Sequence, residues 1–197
     1  FEQIFGGGGG RRRQRRGQDL KIHTTITLEE AYSGVEKTFE VKRRKKCSRC
    51  KGTGAENGNT KTCSECDGTG KVRTVERSIF GRQEVMKECT RCSGTGEIPE
   101  ENCSECGGEG FVEQEEKITV DIPAGIRDGQ RVRVSGKGNE SRGRTGDLYI
   151  IVNVEEHESL ERRGKDLYTT VKIGVGDAAL GTAVEVPGPE KPVKVDI

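Results

Sequence analysis

Eight cysteines carry the chemistry that this sequence advertises, and all of them sit in four copies of one eight-residue phrase. The copies are Cys47-Ser-Arg-Cys50-Lys-Gly52-Thr-Gly54, Cys63-Ser-Glu-Cys66-Asp-Gly68-Thr-Gly70, Cys89-Thr-Arg-Cys92-Ser-Gly94-Thr-Gly96 and Cys103-Ser-Glu-Cys106-Gly-Gly108-Glu-Gly110. Two residues between cysteines let one tight turn aim both sulfurs at a single ion, so each phrase supplies half of a tetrahedral site. The glycines that follow lack a Cβ and accept positive φ. The backbone can then curl back and point amide N–H groups at the thiolates. Four pairs make two all-cysteine zinc sites, two zinc ions per chain, with no ligand left over.

Disulfides are the competing chemistry. No apolar signal segment opens the chain, cysteine is spread thinly over 197 residues, and loop-closing bridges have no reason to keep one spacing. A Cys-x-x-Cys pair also exchanges disulfides when its thiolate is accessible, so a thiol-disulfide oxidoreductase is the enzymatic alternative. Zinc would passivate those sulfurs, and the chain reads as no enzyme. A zinc scaffold for a folded partner is the other rival.

Which phrases share an ion is a separate question. First with second and third with fourth gives two knuckles in a row; first with fourth and second with third gives a nested module. Val72, Val75, Ile79, Val85 and Met86 lie among polar residues around a Phe80-Gly81 turn. That reads as a hairpin joining phrases two and three, which favours nesting.

The elements around the phrases read as strands. Leu20 and Ile22 alternate with polar residues, Thr27-Leu-Glu-Glu30 is a capping box for a short helix over Leu28 to Tyr32 that stops at Gly34, and Phe39 and Val41 share the face of a second strand. Further strands follow at Phe111 to Val120, Lys117 to Ile122, Gln130 to Val134 and Asp147 to Val154. Beyond Gly164, Asp166 to Ile173, Ala183 to Val186 and Val193 to Ile197 read as strands, with a helical turn at Asp177 to Gly181. The expected fold is mainly β: an antiparallel, sandwich-like domain over 18–46 and 111–163, interrupted by the cysteine-rich module at 47–110. Residues 164–197 are the start of a second, similar β domain that the chain is expected to leave incomplete. Residues 1–17, with five consecutive glycines and an arginine run from Arg11 to Arg16, read as a flexible linker preceded by further residues.

Composition excludes several classes. Thirty-four basic residues against 33 acidic ones leave a net charge of +1, which gives no general electrostatic case for nucleic acid. No apolar run reaches the roughly 18 residues of a membrane span. Zinc thiolates imply a reducing compartment, the cytoplasm or an organelle matrix.

The four phrases, Ile122-Pro-Ala-Gly-Ile-Arg-Asp-Gly129, Gly146-Asp-Leu-Tyr149 and His157-Glu-Ser-Leu-Glu-Arg-Arg-Gly164-Lys-Asp-Leu167 together resemble the central part of the DnaJ family, the type I J-domain co-chaperones. The resemblance covers nearly the whole chain. It implies Cys47, Cys50, Cys103 and Cys106 on one zinc and Cys63, Cys66, Cys89 and Cys92 on the other. It also implies that the first β domain holds unfolded client polypeptides for a DnaK-type chaperone, through a pocket at Leu20, Phe39, Val41 and Leu160. An open sheet edge would supply main-chain hydrogen bonds regardless of client sequence. No His-Pro-Asp triplet, the signature of the ATPase-stimulating J domain, occurs. The fragment is therefore expected to be monomeric and unable to stimulate the partner, with homodimerisation belonging to the full-length protein.

Other motifs are weaker. His23 and His157 stand alone and read as structural or surface residues. Gly174-Val-Gly176-Asp-Ala-Ala179 mimics a dinucleotide fingerprint, but prolines follow instead of a long helix. The acidic stretches at Glu97 to Glu101 and Glu113 to Glu116 lack calcium-loop spacing.

Overall fold

A computed structural model describes residues 16–78 and 81–197. Residues 1–15 of the expected linker, and Ile79 and Phe80 of the expected hairpin turn, lie outside them. The chain falls into two compact units. Of the described residues, one comprises 16–18, 42–78, 81–115 and 139–145, and the other 19–41, 116–138 and 146–197.

The second unit contains β1 (Leu20–Ile26) and α1 (Leu28–Ser33). Alternation puts Leu20, Ile22 and Ile26 of β1 toward the interior, with Lys21, His23 and Thr25 exposed. The helix starts where the capping box requires: Thr27 accepts from the Glu30 N–H at 3.3 Å, and the Glu30 carboxylate accepts from the Thr27 N–H at 3.2 Å. Gly34, at φ 81°, ends it. The division between units falls within β2 (Val35–Lys46) and β7 (Phe111–Ile122), which pair with each other. The contacts Thr38–Thr119 and Glu40–Lys117 run in opposite directions along the two strands, so the pair is antiparallel.

β8 (Gln130–Val134) and β9 (Leu148–Val154) complete a three-stranded sheet in the order β1-β9-β8. β8 lies antiparallel to β9, but β1 runs parallel to it, Leu20 facing Leu148 and Ile26 facing Val154. Among the described strands this is the one parallel pairing; outside them a single parallel bridge joins Arg16 to Arg144. The inward faces of both sheets and Ala31 of α1 meet in one core: Ile26, Val41, Ile118, Val120, Ile122, Ile126, Leu148, Ile150 and Val152 are all buried. Two sheets closing on a shared apolar layer are what a sandwich requires.

β10 (Glu161–Arg163) pairs with β11 (Asp166–Tyr168), and β12 (Ala183–Val186) with β13 (Val193–Asp196). The strand expected over Asp166 to Ile173 forms only as far as Tyr168. α2 (Val175–Leu180) is a six-residue helix with no buried side chain. No described helix is long and apolar enough to cross a membrane.

The first unit holds the cysteines. β4 (Lys71–Ser78) and β5 (Gly81–Glu88) form an antiparallel hairpin between phrases two and three. β3 (Thr60–Thr62) and β6 (Glu97–Pro99) form a shorter ladder outside it. Part of the acidic stretch from Glu97 is therefore strand, and the Thr60 hydroxyl donates to the Glu97 carboxylate at 2.9 Å.

Candidate metal centres

Each phrase is a tight turn that begins and ends on its partner. The Cys47 N–H donates to the Gly110 carbonyl at 3.0 Å, and the Cys103 N–H to the Gly54 carbonyl at 2.8 Å. The inner phrases repeat this, Cys63 to Gly96 at 2.8 Å and Cys89 to Gly70 at 3.0 Å. The closing glycines permit the approach. Gly54 and Gly110 sit at φ 81° and 80°, and a Cβ on either would strike the carbonyl of Gly108 or Gly52 respectively. The N–H of Gly54 meets the Cys50 sulfur at 3.3 Å, and Gly110 meets Cys106 at 3.2 Å. Gly70 and Gly96 do the same for Cys66 and Cys92, both at 3.3 Å.

Two nested groups result: Cys47, Cys50, Cys103 and Cys106, and Cys63, Cys66, Cys89 and Cys92. Within each, the sulfurs all lie within 4.8 Å of one another. Sulfurs of partner phrases are 3.8 Å apart for Cys47–Cys103 and Cys63–Cys89, and 3.7 Å for Cys50–Cys106 and Cys66–Cys92. A tetrahedral ion with bonds of about 2.3 Å to sulfur has edges near 3.8 Å, so each group has the dimensions of a four-thiolate metal site. Seven of the eight cysteines are buried and Cys106 is half-buried.

The thiols within each group are unequal. Burial opposes ionisation of Cys50, but the Gly54 and Gly52 N–H groups and the thiols of Cys106 and Cys47 bring it down to about 7. Cys92 falls to about 6, where the Gly96 N–H and the Cys89 and Cys66 thiols outweigh burial. Cys47 and Cys89 go the other way. The N–H of Cys50 or Cys92 favours their thiolates, yet burial and neighbouring acceptors of the S–H proton (Cys50 and Glu105 for Cys47, Cys92 and Cys63 for Cys89) leave both pushed up to about 12. A cation held at the centre would oppose that upward shift.

The sequence reading did not extend to the contacts around the ligands. The hydroxyls of Thr53, Thr69 and Thr95 donate to the carbonyls of Cys50, Cys66 and Cys92 at 2.8, 2.6 and 2.6 Å. Their recurrence at one place in three phrases is a usable signal. In the fourth phrase Glu109 stands there. The Glu56 carboxylate accepts from the Ser104 N–H at 2.7 Å and pairs with Arg49, bracing the outer group; nothing in its sequence context marks it.

The apolar positions singled out in the sequence lie in the second unit. Leu20 and Phe39 are half-buried against the core, Val41 is a core residue at 4% exposure, and Leu160 is buried at 6% outside that cluster. His157 has a structural part: its Nδ1 accepts from the N–H groups of Ser159 and Leu160, and its Nε2 lies 3.1 Å from Glu29.

The family profile of the DnaJ C terminal domain matches residues 20–197. Among curated relatives, the chaperone protein DnaJ of Parageobacillus thermoglucosidasius is 47% identical over 192 residues, covering 95% of this chain and 50% of the relative. That of Fusobacterium nucleatum subsp. polymorphum is 43% identical over 183 residues, covering 91% and 46%. That of Methanothermobacter thermautotrophicus is 42% identical over 200 residues, covering 100% and 53%. The chain spans about half the length of the curated relatives it matches. With four phrases folded into two cysteine tetrads and a profile match over nearly its whole length, the chain belongs to the DnaJ family.

Proposed function

We propose that this chain is the polypeptide-holding part of a J-domain co-chaperone, with no catalytic step of its own, and that each cysteine tetrad holds one structural zinc ion. Unfolded clients would be held for transfer to a DnaK-type chaperone in a reducing compartment, the cytoplasm or an organelle matrix. The fragment would act as a monomer, with the homodimer belonging to the longer protein. In this organisation residues 47–110 form the metal module, 18–46 with 111–163 the client domain, and 164–197 a second β domain.

One observation carries the client reading. β2 has an open edge beside half-buried apolar side chains. On the side facing away from β7, Arg44 N–H and Lys46 N–H are taken by the Asn139 and Glu140 side chains, but no described strand pairs along Glu36–Lys42. An extended client can add there as a strand, and half-buried Phe39 on β2 and Leu20 on β1 can offer apolar contacts. Zinc would supply no reaction step. Its part is to hold four thiolates together and so fix the turns. The oxidoreductase alternative requires accessible thiols, and seven of the eight are buried, Cys106 being half-buried.

The test is the affinity for an extended, leucine-rich, uncharged peptide, measured on the chain and on Leu20→Ser and Phe39→Ser variants, positions chosen because neither side chain is fully buried. Losing one apolar side-chain contact weakens binding by about 1–2 kcal/mol, or roughly tenfold. Unchanged affinity in both folded variants would move the client site elsewhere.

A further inference from the structure

Beside α1 the second unit opens into a cavity of about 500 Å³ that contains none of the residues assigned to client binding or metal. Its apolar lining is Leu28, Ala124 and Leu167, and Tyr32, 53% exposed, stands at the rim. Three cations, Arg127, Arg162 and Lys165, complete the wall, and no carboxylate lines it.

The cations have different tasks. Arg162 is committed to the backbone: its guanidinium donates to the carbonyls of Ile126, Gly125 and Gly164 at 2.6, 2.9 and 3.2 Å, so it holds the Gly125–Ile126 turn in place. The side chains of Arg127 and Lys165 make no hydrogen bond or ion pair with any described residue; only the backbone N–H of Arg127 is engaged, by Gln130. Four nearby acidic residues are engaged elsewhere, while a fifth, Asp166 between Lys165 and Leu167, is exposed and outside the lining. Glu29 faces His157, Glu30 pairs with Lys37 at 2.8 Å, Glu161 pairs with Arg163 at 2.8 Å, and Asp128 accepts from the Val154 N–H at 2.9 Å. An apolar hollow with two uncommitted cations at its mouth is complementary to an apolar side chain flanked by carboxylates. Tyr32, Arg127 and Lys165 are all exposed, so the cavity is reached from solvent.

We propose that this cavity is a second polypeptide site, taking a segment in which an apolar side chain sits between acidic residues. It stands apart from the client reading above, because neither Leu20, Phe39 nor the β2 edge contributes to it.

The probes are a blocked peptide of sequence Gly-Glu-Leu-Glu-Gly and its Gly-Gln-Leu-Gln-Gly counterpart. Both are titrated onto the full chain with metal bound and followed by the nuclear resonance signals of Tyr32 and Leu167. The acidic peptide binds more tightly than the amide peptide, by roughly fivefold for two partly screened ion pairs, and added salt erodes the difference. An Arg127→Gln, Lys165→Gln double variant abolishes that preference while its affinity for the uncharged leucine-rich peptide stays as before. Leu167→Ala weakens both short peptides. Equal binding of the two peptides by the unmodified chain overturns the proposal, as does a preference that survives the double variant. Binding of octanoate without either peptide overturns it in favour of a small amphiphilic acid. Failure of the leucine-rich peptide to bind would sink the client reading and leave this one standing.

Discussion

In the unit built from residues 42–115, the side chains at 0% exposure are Cys47, Cys63, Cys89 and Cys103; in the other unit they are Ala31, Leu148, Ile150 and Val152. The contrast extends to their surroundings. Around the inner tetrad the only packed hydrophobics among the described residues are Val72 and Ile98, and around the outer one Val112. The sandwich core instead gathers ten buried residues and is flanked by Leu20, Ile22, Val35, Phe39, Val132, Val134 and Val154. Two polypeptide units of one chain thus reach a fixed structure by different chemistry. One buries hydrocarbon; the other gathers eight sulfurs into two groups of four with the dimensions of a metal site. A unit with so little apolar surface needs another source of stability, and structural zinc supplies about 10–16 kcal/mol in comparable peptides.

The sharpest way to break that contrast is to take the metal away. Chelation should abolish hydrogen-exchange protection in β3 to β6 while Ile118, Ile150 and Val152 amides stay protected. Uniform loss, or none, would mean that the units do not differ in this way. The reciprocal change is Ile150→Ala, at a side chain with 0% exposure. It should cost the sandwich about 2–5 kcal/mol while zinc content is unaltered. A variant that loses zinc along with sandwich stability would join what the account separates.

Smaller effects sharpen the picture inside the metal unit. Gly110→Ala puts a Cβ about 2.5 Å from the Gly52 carbonyl at a φ of 80°. It should weaken zinc at the outer group by about 1–3 kcal/mol through backbone strain, and leave the inner group's affinity alone. Equal weakening of both would show the tetrads to be one cooperative site. The mildest probe is pH. Near neutrality, zinc must displace protons from Cys47, Cys66, Cys89 and Cys106, which are all pushed upward, whereas Cys50 and Cys92 are brought down to about 7 and 6. Affinity should fall on acidification, and more steeply once the pH drops below those two values and Cys50 and Cys92 also take up protons. A slope that does not change between pH 8 and 5 would contradict the inequality of the thiols.

Much of this organisation is legible in the amino-acid sequence. Four near-identical phrases announce four turns because ligand chemistry tolerates little variation, and Thr27 with Glu30 announces a helix start because two orphan N–H groups need those side chains. The rest is hidden for physical reasons. Alternation in Leu20–Ile26 tells which face is buried but not which strand lies alongside, so the parallel pairing with β9 leaves no trace in it. Thr60–Thr62 and Glu97–Pro99 are too short and polar to carry a period; they become strands because the phrases bring them together. Asp166 to Ile173 has strand propensity throughout, but only Asp166–Tyr168 finds a partner, in β10. Partnership, not propensity, sets where that strand ends.

The account's central claim is a division of labour: zinc fixes the cysteine unit, while the sandwich unit meets the client. The most direct measurement is the affinity for the leucine-rich peptide before and after chelation of both metals. Affinity preserved within about twofold, which is a difference of roughly 0.4 kcal/mol, is the predicted result. Loss of binding on chelation, with the sandwich still protected from exchange, would contradict the claim and move the client site to the cysteine unit.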